Sequence, residues 1–189
     1  MADLAHQYEG KHELIDGQVV AMAPSAGVNH GSVIMNIARI FSNYLIGKPC
    51  KVWSDTVDVH LSDKDVFIPD ITVVCNMDIV KGTGIFGAPD LVVEILSPST
   101  ANYDKGYKRT VYEKHGVKEY WLVNVDSRSV EVHLLIKSRF EFAGDYSIYP
   151  DFLLEKMTEE QKSKIITEFS PSIFPDLTIV LKDVFDKLI

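Results

Sequence analysis

The order of apolar and polar positions divides the chain into helical and extended stretches. Val28 to Leu45 carries apolar residues at three- and four-residue steps, which predicts an amphipathic helix with Asn29 or Ser25 as its N-cap. Before it, His12 to Met22 (HELIDGQVVAM) has the pattern of a β-hairpin with Asp16-Gly17 as its two-residue turn. A hairpin followed by a helix is therefore predicted for the first 45 residues.

Apolar runs in the middle of the chain predict several strands around a second helix. The predicted strands are Lys51 to Leu61, Val66 to Cys75, Leu91 to Leu96, Glu119 to Val125 and Val130 to Ile136. Residues 76–88 are predicted to form a loop, and Asn102 to His115 a helix that ends at Gly116. Residues 91–125 then form a right-handed strand–helix–strand crossover, and the earlier strands, joined by short loops, are antiparallel neighbours. This order predicts an α/β (α+β) fold with a mixed sheet flanked by helices.

The last forty residues have a less regular pattern. Thr158 to Ile166 predicts a helix in which Thr158 and Gln161 form a capping box. Leu177 to Leu181 predicts a short strand, and Val184-Phe185 a closing turn of helix. A chain of 189 residues can bury one sizeable core, so residues 1–189 are predicted to form a single domain.

Composition narrows the class of protein. Hydrophobic residues make up 46% and charged residues 24%, as in soluble globular proteins. The sequence shows neither a signal peptide nor an apolar run near the roughly 20 residues of a membrane helix, so we expect a cytoplasmic protein without membrane contact. Cys50 and Cys75 lack CxxC spacing and are expected to be free thiols. The net charge of −8 argues against a module that simply coats nucleic acid.

One acidic residue stands in a predicted buried strand. Glu94 lies between Val93 and Ile95, and burying a carboxylate is costly unless a cation pairs with it. Asp90 is about 13 Å away along the same strand and cannot share an ion with Glu94. Asp70, on the preceding strand, can lie beside it. Oxygen ligands in a partly open site suit Mg²⁺ or Mn²⁺ better than zinc.

Five segments in order resemble a known nuclease family. They are ELIDG, VFIPDITVV, LVVEILSPST, the DxxxK of Asp104 to Lys108, and GVKEYWLV. Asp70, a spacer and then Glu94 are similar to the PD-(D/E)xK nuclease superfamily, and all five segments together resemble its Uma-type restriction endonucleases. The resemblance runs from about His12 to Leu135 and returns weakly near Phe174 to Phe185. It implies a restriction-endonuclease-like αβββαβ core after an N-terminal β-hairpin, with a helical insertion at about residues 151–170.

The catalytic lysine departs from the superfamily pattern. The superfamily places it two residues after the glutamate, where this chain has Leu96. The Uma-type resemblance moves it to the following helix and implies Lys108, which helical spacing puts on the same side as Asp104. Lys105 is the competing choice.

The resemblance also implies a mechanism. Asp70, Glu94 and the main-chain carbonyl of Ile95 would hold one Mg²⁺ or Mn²⁺, which would polarise a scissile phosphate and activate a bound water. Lys108 would orient that water and stabilise charge on the phosphate oxygens. The reaction would be phosphodiester hydrolysis.

Two residues outside the crossover match recurring positions of the family. Glu13 would be a further metal ligand, directly or through water, and His30 a proton shuttle or substrate contact. Each has a structural alternative. Glu13 could be an exposed hairpin residue paired across the strand, and His30 a residue that packs or caps at a helix start.

The resemblance favours a metal-dependent endonuclease acting on DNA. One alternative is a catalytically silent member of the fold that binds nucleic acid or protein. Another is a metal-dependent hydrolase of a small phosphodiester, which would tolerate the acidic charge more easily. A homodimer would suit duplex cleavage, because that reaction needs two active sites or two events.

Overall fold

The computed structural model describes residues 11–22 and 27–189, whose strands form two six-stranded sheets and one two-stranded sheet. The strands are β1 His12–Ile15, β2 Gln18–Ala21, β3 Lys51–Ser54, β4 Val59–His60, β5 Val66–Phe67, β6 Ile71–Val74, β7 Val80–Lys81, β8 Gly84–Phe86, β9 Leu91–Leu96, β10 Glu119–Asn124, β11 Ser129–Ile136, β12 Arg139–Ser147, β13 Glu168–Phe169 and β14 Ile179–Val180. The helices are α1 Val28–Tyr44, α2 Ala101–Tyr103, α3 Arg109–His115, α4 Asp151–Leu154, α5 Glu159–Lys162 and α6 Leu181–Val184. A 3₁₀-helix covers Met77–Ile79, and a π-helical turn, Asp104–Lys108, joins α2 to α3.

The main sheet carries the predicted core topology. Its strand order is β12-β11-β10-β9-β6-β3. Strands β9 and β10 are parallel and are connected by the second helical segment, while β6 is antiparallel to both β3 and β9. With α1 in front of β3, this is the αβββαβ arrangement, so the predicted mixed α+β fold class is confirmed.

A second sheet was not expected. Its order is β2-β1-β5-β4-β8-β7, and it contains the predicted N-terminal hairpin. The two strands predicted over residues 51–61 and 66–75 each break in the middle, and their halves belong to different sheets. The second break lies at Pro69, which has no N–H to donate to a strand ladder.

Two local predictions are wrong, and one strand was missed. Residues 76–88 are not a plain loop, because they contain the 3₁₀-helix and the β7–β8 hairpin, which pairs with β4. Strand β12 was not predicted at all. Asn29 does not cap α1, whose N-cap is Gly27 and makes no side-chain cap hydrogen bond; Asn29 instead binds the main chain of Ile189. Ser25 lies outside the described residues.

Alternate residues of β9 face two separate apolar clusters. Leu91, Val93 and Ile95 pack in the cluster that includes α1, where the Phe41 ring lies 5.7 Å from the Trp121 ring. Val92 belongs to the opposite cluster, which lies between the main sheet, α3 and the second sheet. Glu94 follows the same alternation, so its side chain points toward α3.

The C-terminal segment completes the cluster around α1. Its buried apolar members are Phe169, Phe174, Leu177, Ile179, Leu181, Val184 and Phe185. The fully buried carboxylate of Glu119 on β10 ties this segment to the sheet, because it accepts hydrogen bonds from Ser172 N, Ser172 Oγ and Trp121 Nε1 at 2.7, 2.6 and 2.7 Å. Burial raises the pKa of Glu119, and these donors offset part of that effect.

The region after residue 150 is helical in short pieces. The predicted capping box is present, with Thr158 and Gln161 bonded reciprocally. The helix behind it, α5, is shorter than expected. The predicted insertion and the single domain over 1–189 stay predictions. Within the described ranges, no helix is long and apolar enough to cross a bilayer.

Cys50 and Cys75 are not free thiols, since a disulfide joins them. The β3–β6 register pairs Lys51 with Val74, which puts the two cysteines at the next opposing position. Sequence spacing could not reveal this neighbour relation, because it depends on which strands pair. A cytoplasmic location stays a prediction.

We expect reduction of this disulfide to lower the free energy of unfolding by about 3 kcal/mol. The bond closes a loop between residues separated by 25 in sequence, and opening it restores freedom to the unfolded chain. Urea unfolding with and without reductant measures the effect. The double variant Cys50→Ala with Cys75→Ala should match the reduced protein and not respond to reductant. Coincident unfolding midpoints for oxidised and reduced wild type would contradict the prediction.

Candidate active site

Lys108 is a buried lysine at the end of a π-helical turn. The side chain is held between α3 and the main sheet, and the residue is 4% exposed. Within the turn, the main-chain carbonyl of Asp104 accepts a hydrogen bond from Tyr120 Oη at 2.9 Å. This contact supports the irregular helix, and such turns often occur at functional sites.

Three carboxylates surround the Lys108 ammonium group. Its Nζ lies 2.9 Å from Glu13 Oε1, 3.2 Å from Glu94 Oε1 and 3.6 Å from Asp104 Oδ1. Glu13 comes from β1 of the second sheet, and its Oε1 also accepts a hydrogen bond from Ile68 N at 2.9 Å. Glu13 is therefore a buried member of the cluster rather than an exposed hairpin residue.

Asp70 and His30 both contact the main chain of Ile95, the residue after Glu94. The β6–β9 register pairs Ile71 with Val93, so Asp70 takes the next position, opposite Glu94. Asp70 Oδ2 accepts a hydrogen bond from Ile95 N at 2.6 Å. His30 Nε2, from the first turn of α1, lies 3.1 Å from Ile95 O and 3.5 Å from Asp70 Oδ2. The site residues predicted from sequence thus come together around residues 94 and 95.

Three carboxylates share the single ammonium group of Lys108. Burial raises the pKa of Glu94 well above its ordinary value; Lys108 opposes this, while Asp104, Asp70 and Glu13 add to it. Burial also raises the pKa of Asp104, whose Oδ1 has no hydrogen-bond partner among the described residues. Burial disfavours the charged form of Lys108, but its three carboxylate neighbours outweigh that cost and raise its pKa.

His30 is shifted toward its protonated form. Burial lowers the pKa of His30, but the hydrogen bond and charge of Asp70 and the carbonyl of Ile95 outweigh it, so the pKa lies above the ordinary value. The imidazole therefore keeps its proton to a higher pH than an ordinary histidine does.

The oxygen atoms near residues 94 and 95 would fit Mg²⁺ or Mn²⁺ if water completed the coordination shell. No group of three or more His, Cys, Asp or Glu side chains in the described part of the chain is arranged to hold an ion. Asp70 and Glu94 offer two carboxylates, and Ile95 offers a carbonyl. Mg²⁺ commonly uses one or two carboxylates and keeps several waters. Buried carboxylates that outnumber the one ammonium group are the observation that favours a cation here.

The structure separates the competing candidates from the cluster. Asp90 is bound elsewhere: its Oδ2 accepts from Cys75 N and its Oδ1 from Lys118 Nζ, both at 2.6 Å. Lys105 is exposed, whereas Lys108 is buried among the carboxylates. The geometry therefore favours Lys108 as the lysine of this site.

Sequence reasoning did not assign Tyr112 to the site. Its hydroxyl donates to Glu94 Oε1 at 2.8 Å from α3. Asp104, Lys108 and Tyr112 follow one another at four-residue steps, which is the spacing of one helix face. That spacing could have assigned Tyr112 to the site from the sequence.

Comparison with known proteins decides the family. Residues 2–155 match the model of the Uma2 family, described as "Putative restriction endonuclease". The chain belongs to this family. Two uncharacterized proteins of Synechocystis sp. are similar to this Uma2 member. One is 34% identical over 129 residues, covering 68% of this chain and 67% of the relative. The other is 24% identical over 136 residues, covering 68% and 75%.

A solved structure shares the fold of this Uma2 protein. It is described as a "putative nuclease belonging to DUF820" from Anabaena variabilis, and it superposes with a TM-score of 0.69. The two sequences are 20% identical, and the match covers 94% of this chain and 91% of the other. This likeness supports the nuclease-like mixed α+β fold.

Proposed function

We propose that this Uma2 protein is a divalent-metal-dependent endonuclease that hydrolyses phosphodiester bonds of DNA. The observation that supports this most strongly is the contact of Lys108 Nζ with Glu94 Oε1 at 3.2 Å, with Asp70 opposite on the paired strand. Two carboxylates from neighbouring strands and a lysine from the covering helix are suited to phosphodiester hydrolysis. The family description supports a nuclease, and DNA is the usual substrate of restriction endonucleases.

Asp70, Glu94 and the Ile95 carbonyl would hold the metal ion. When bound, Mg²⁺ or Mn²⁺ supplies Lewis acidity, which polarises the phosphate and lowers the pKa of a bound water. The Ile95 carbonyl contacts His30 in the present structure, so His30 would lie next to the bound ion.

The remaining groups position the water and move protons. Lys108, kept charged by its carboxylate neighbours, donates to the attacking water and stabilises charge on a phosphate oxygen. The water oxygen bonds to phosphorus, and the bond to the leaving sugar oxygen breaks. His30 delivers a proton to the leaving oxygen, while the proton lost by the water passes to solvent. Glu13 acts through Lys108, which it holds in place.

Plasmid nicking tests the proposal. We expect the wild type to nick supercoiled plasmid with Mn²⁺ or Mg²⁺ and not with EDTA. Asp70→Asn should fall to the EDTA level, because it loses a charged ligand while its oxygen can still accept from Ile95 N. Asp78→Asn, at an exposed aspartate, is the matched control and should nick like wild type. Equal nicking by Asp70→Asn and wild type would overturn the proposal.

The assay also separates the two alternatives. No cleavage of any substrate, together with thermal stabilisation by Mn²⁺, would favour a catalytically silent binding protein. Cleavage of bis(p-nitrophenyl) phosphate without plasmid nicking would favour a small phosphodiester. The net charge of −8 is the observation that favours this second alternative over DNA.

A further inference from the structure

Tyr112 is held rigidly in the apolar cluster beneath the second sheet. The residue is fully buried on α3. Its ring meets the Phe67 ring edge-on, with centroids 5.5 Å apart and planes at 81°, and it lies 5.2 Å from the Tyr120 ring. Aromatic neighbours on two sides fix the plane of the phenol. The hydroxyl therefore has little freedom to choose another partner.

That hydroxyl is directed at a single oxygen of Glu94. It donates to Glu94 Oε1 at 2.8 Å, and the same oxygen accepts from Lys108 Nζ at 3.2 Å. The other oxygen, Oε2, receives no hydrogen bond from the residues described here. Two donors thus occupy one side of the carboxylate and leave the other oxygen available.

We propose that Tyr112 is a positioning residue that orients Glu94 so that Oε2 is presented to the metal ion. This inference rests on the proposed function. A carboxylate on a flexible side chain must give up rotational freedom when it binds an ion. A hydrogen bond from a fixed phenol removes that freedom before the ion arrives. The phenol donates to Glu94 Oε1 in the structure, and this contact carries the inference.

The alternative is that Tyr112 only fills space in the core. Tyr112→Phe separates the two roles, because it keeps the ring and its packing and removes only the hydroxyl. A space-filling role predicts no change in metal binding. A positioning role predicts weaker metal binding by a folded protein.

We expect Tyr112→Phe to bind Mn²⁺ roughly 10- to 100-fold more weakly than wild type. Binding is measured at fixed pH from the electron paramagnetic resonance signal of free Mn²⁺. In plasmid nicking, the variant should need more Mn²⁺, regain a rate near that of wild type at saturating Mn²⁺, and keep the wild-type KM for plasmid. Circular dichroism confirms that the variant is folded. Weaker Mn²⁺ binding by a folded variant with intact packing supports positioning.

Tyr107→Phe is the matched control. Tyr107 precedes Tyr112 on the same helical segment, and its hydroxyl donates to Asp65 Oδ1 at 2.9 Å rather than to Glu94. This variant should bind Mn²⁺ like wild type. Equal loss in both variants would overturn the inference.

The failure of this inference differs from the failure of the proposed function. If wild type cleaves plasmid with Mn²⁺ and Asp70→Asn does not, yet Tyr112→Phe binds Mn²⁺ within about twofold of wild type, only the positioning role is overturned. If wild type binds no Mn²⁺ and nicks no plasmid, both are overturned.

Discussion

Replacing Glu94 with glutamine is expected to abolish metal-dependent cleavage while leaving the folded protein at least as stable as the wild type. Glutamine removes the charge that the ion needs. It also removes the cost of burying a carboxylate, the cost that raises the pKa of Glu94. Its amide oxygen can still accept from Lys108 and Tyr112, and Lys108 keeps Glu13 as a partner. Plasmid nicking in Mn²⁺ and urea unfolding in EDTA measure the two effects.

A second buried glutamate provides the control for this variant. Both oxygens of Glu119 accept hydrogen bonds, so an amide there would turn its N–H groups toward existing donors. Glu119→Gln should therefore remain active but lose about 1–3 kcal/mol of unfolding free energy. Glu94→Gln would lose cleavage and keep its stability, whereas Glu119→Gln would keep cleavage and lose stability. A Glu94→Gln protein that nicks plasmid within tenfold of the wild-type rate would contradict the role of Glu94 in catalysis.

Replacing Lys108 with methionine is expected to reduce cleavage at saturating Mn²⁺ by about 10²- to 10³-fold. The loss should be in the rate rather than in metal binding, because Lys108 acts on water and phosphate. In the absence of metal, the variant should also be about 3 kcal/mol less stable, since Glu13, Glu94 and Asp104 lose their shared cation. Added Mn²⁺ should restore part of that stability.

Lys105→Met is the natural comparison for Lys108→Met. Lys105 lies in the same π-helical turn but is exposed to solvent. We expect it to retain cleavage and stability. Loss of cleavage in Lys105→Met with retention in Lys108→Met would reverse the assignment of the catalytic lysine.

The fold could be predicted where the apolar pattern is long. Leu91 to Leu96 and Glu119 to Asn124 are runs buried on both faces, and their parallel pairing follows from the intervening helix. Apart from its N-terminal hairpin, the second sheet could not be predicted, because its strands are two to four residues long and carry too little pattern. The disulfide was not predicted for a related reason, since only the pairing of β3 with β6 makes Cys50 and Cys75 neighbours.

Those site residues could be predicted whose type is unusual for their place in the sequence. A carboxylate at Glu94 in an apolar strand requires a partner, and strand order places Asp70 beside it. Glu13 and His30 came from resemblance alone, because nothing in the local sequence of a hairpin or a helix start indicates that they approach the same strand. Tyr112 was missed because a buried tyrosine on a helix usually only packs.

The C-terminal segment lies beyond the match to the family model but belongs to the apolar core. The match to the family model ends at residue 155. The chain beyond it supplies Phe169, Ile179 and Leu181 to the cluster around α1 and binds Glu119 through Ser172. The segment beyond the residues matched by the family model therefore contributes to the same core. A chain cut at the family boundary would keep every proposed catalytic residue and lose one wall of the core that holds their strands in place.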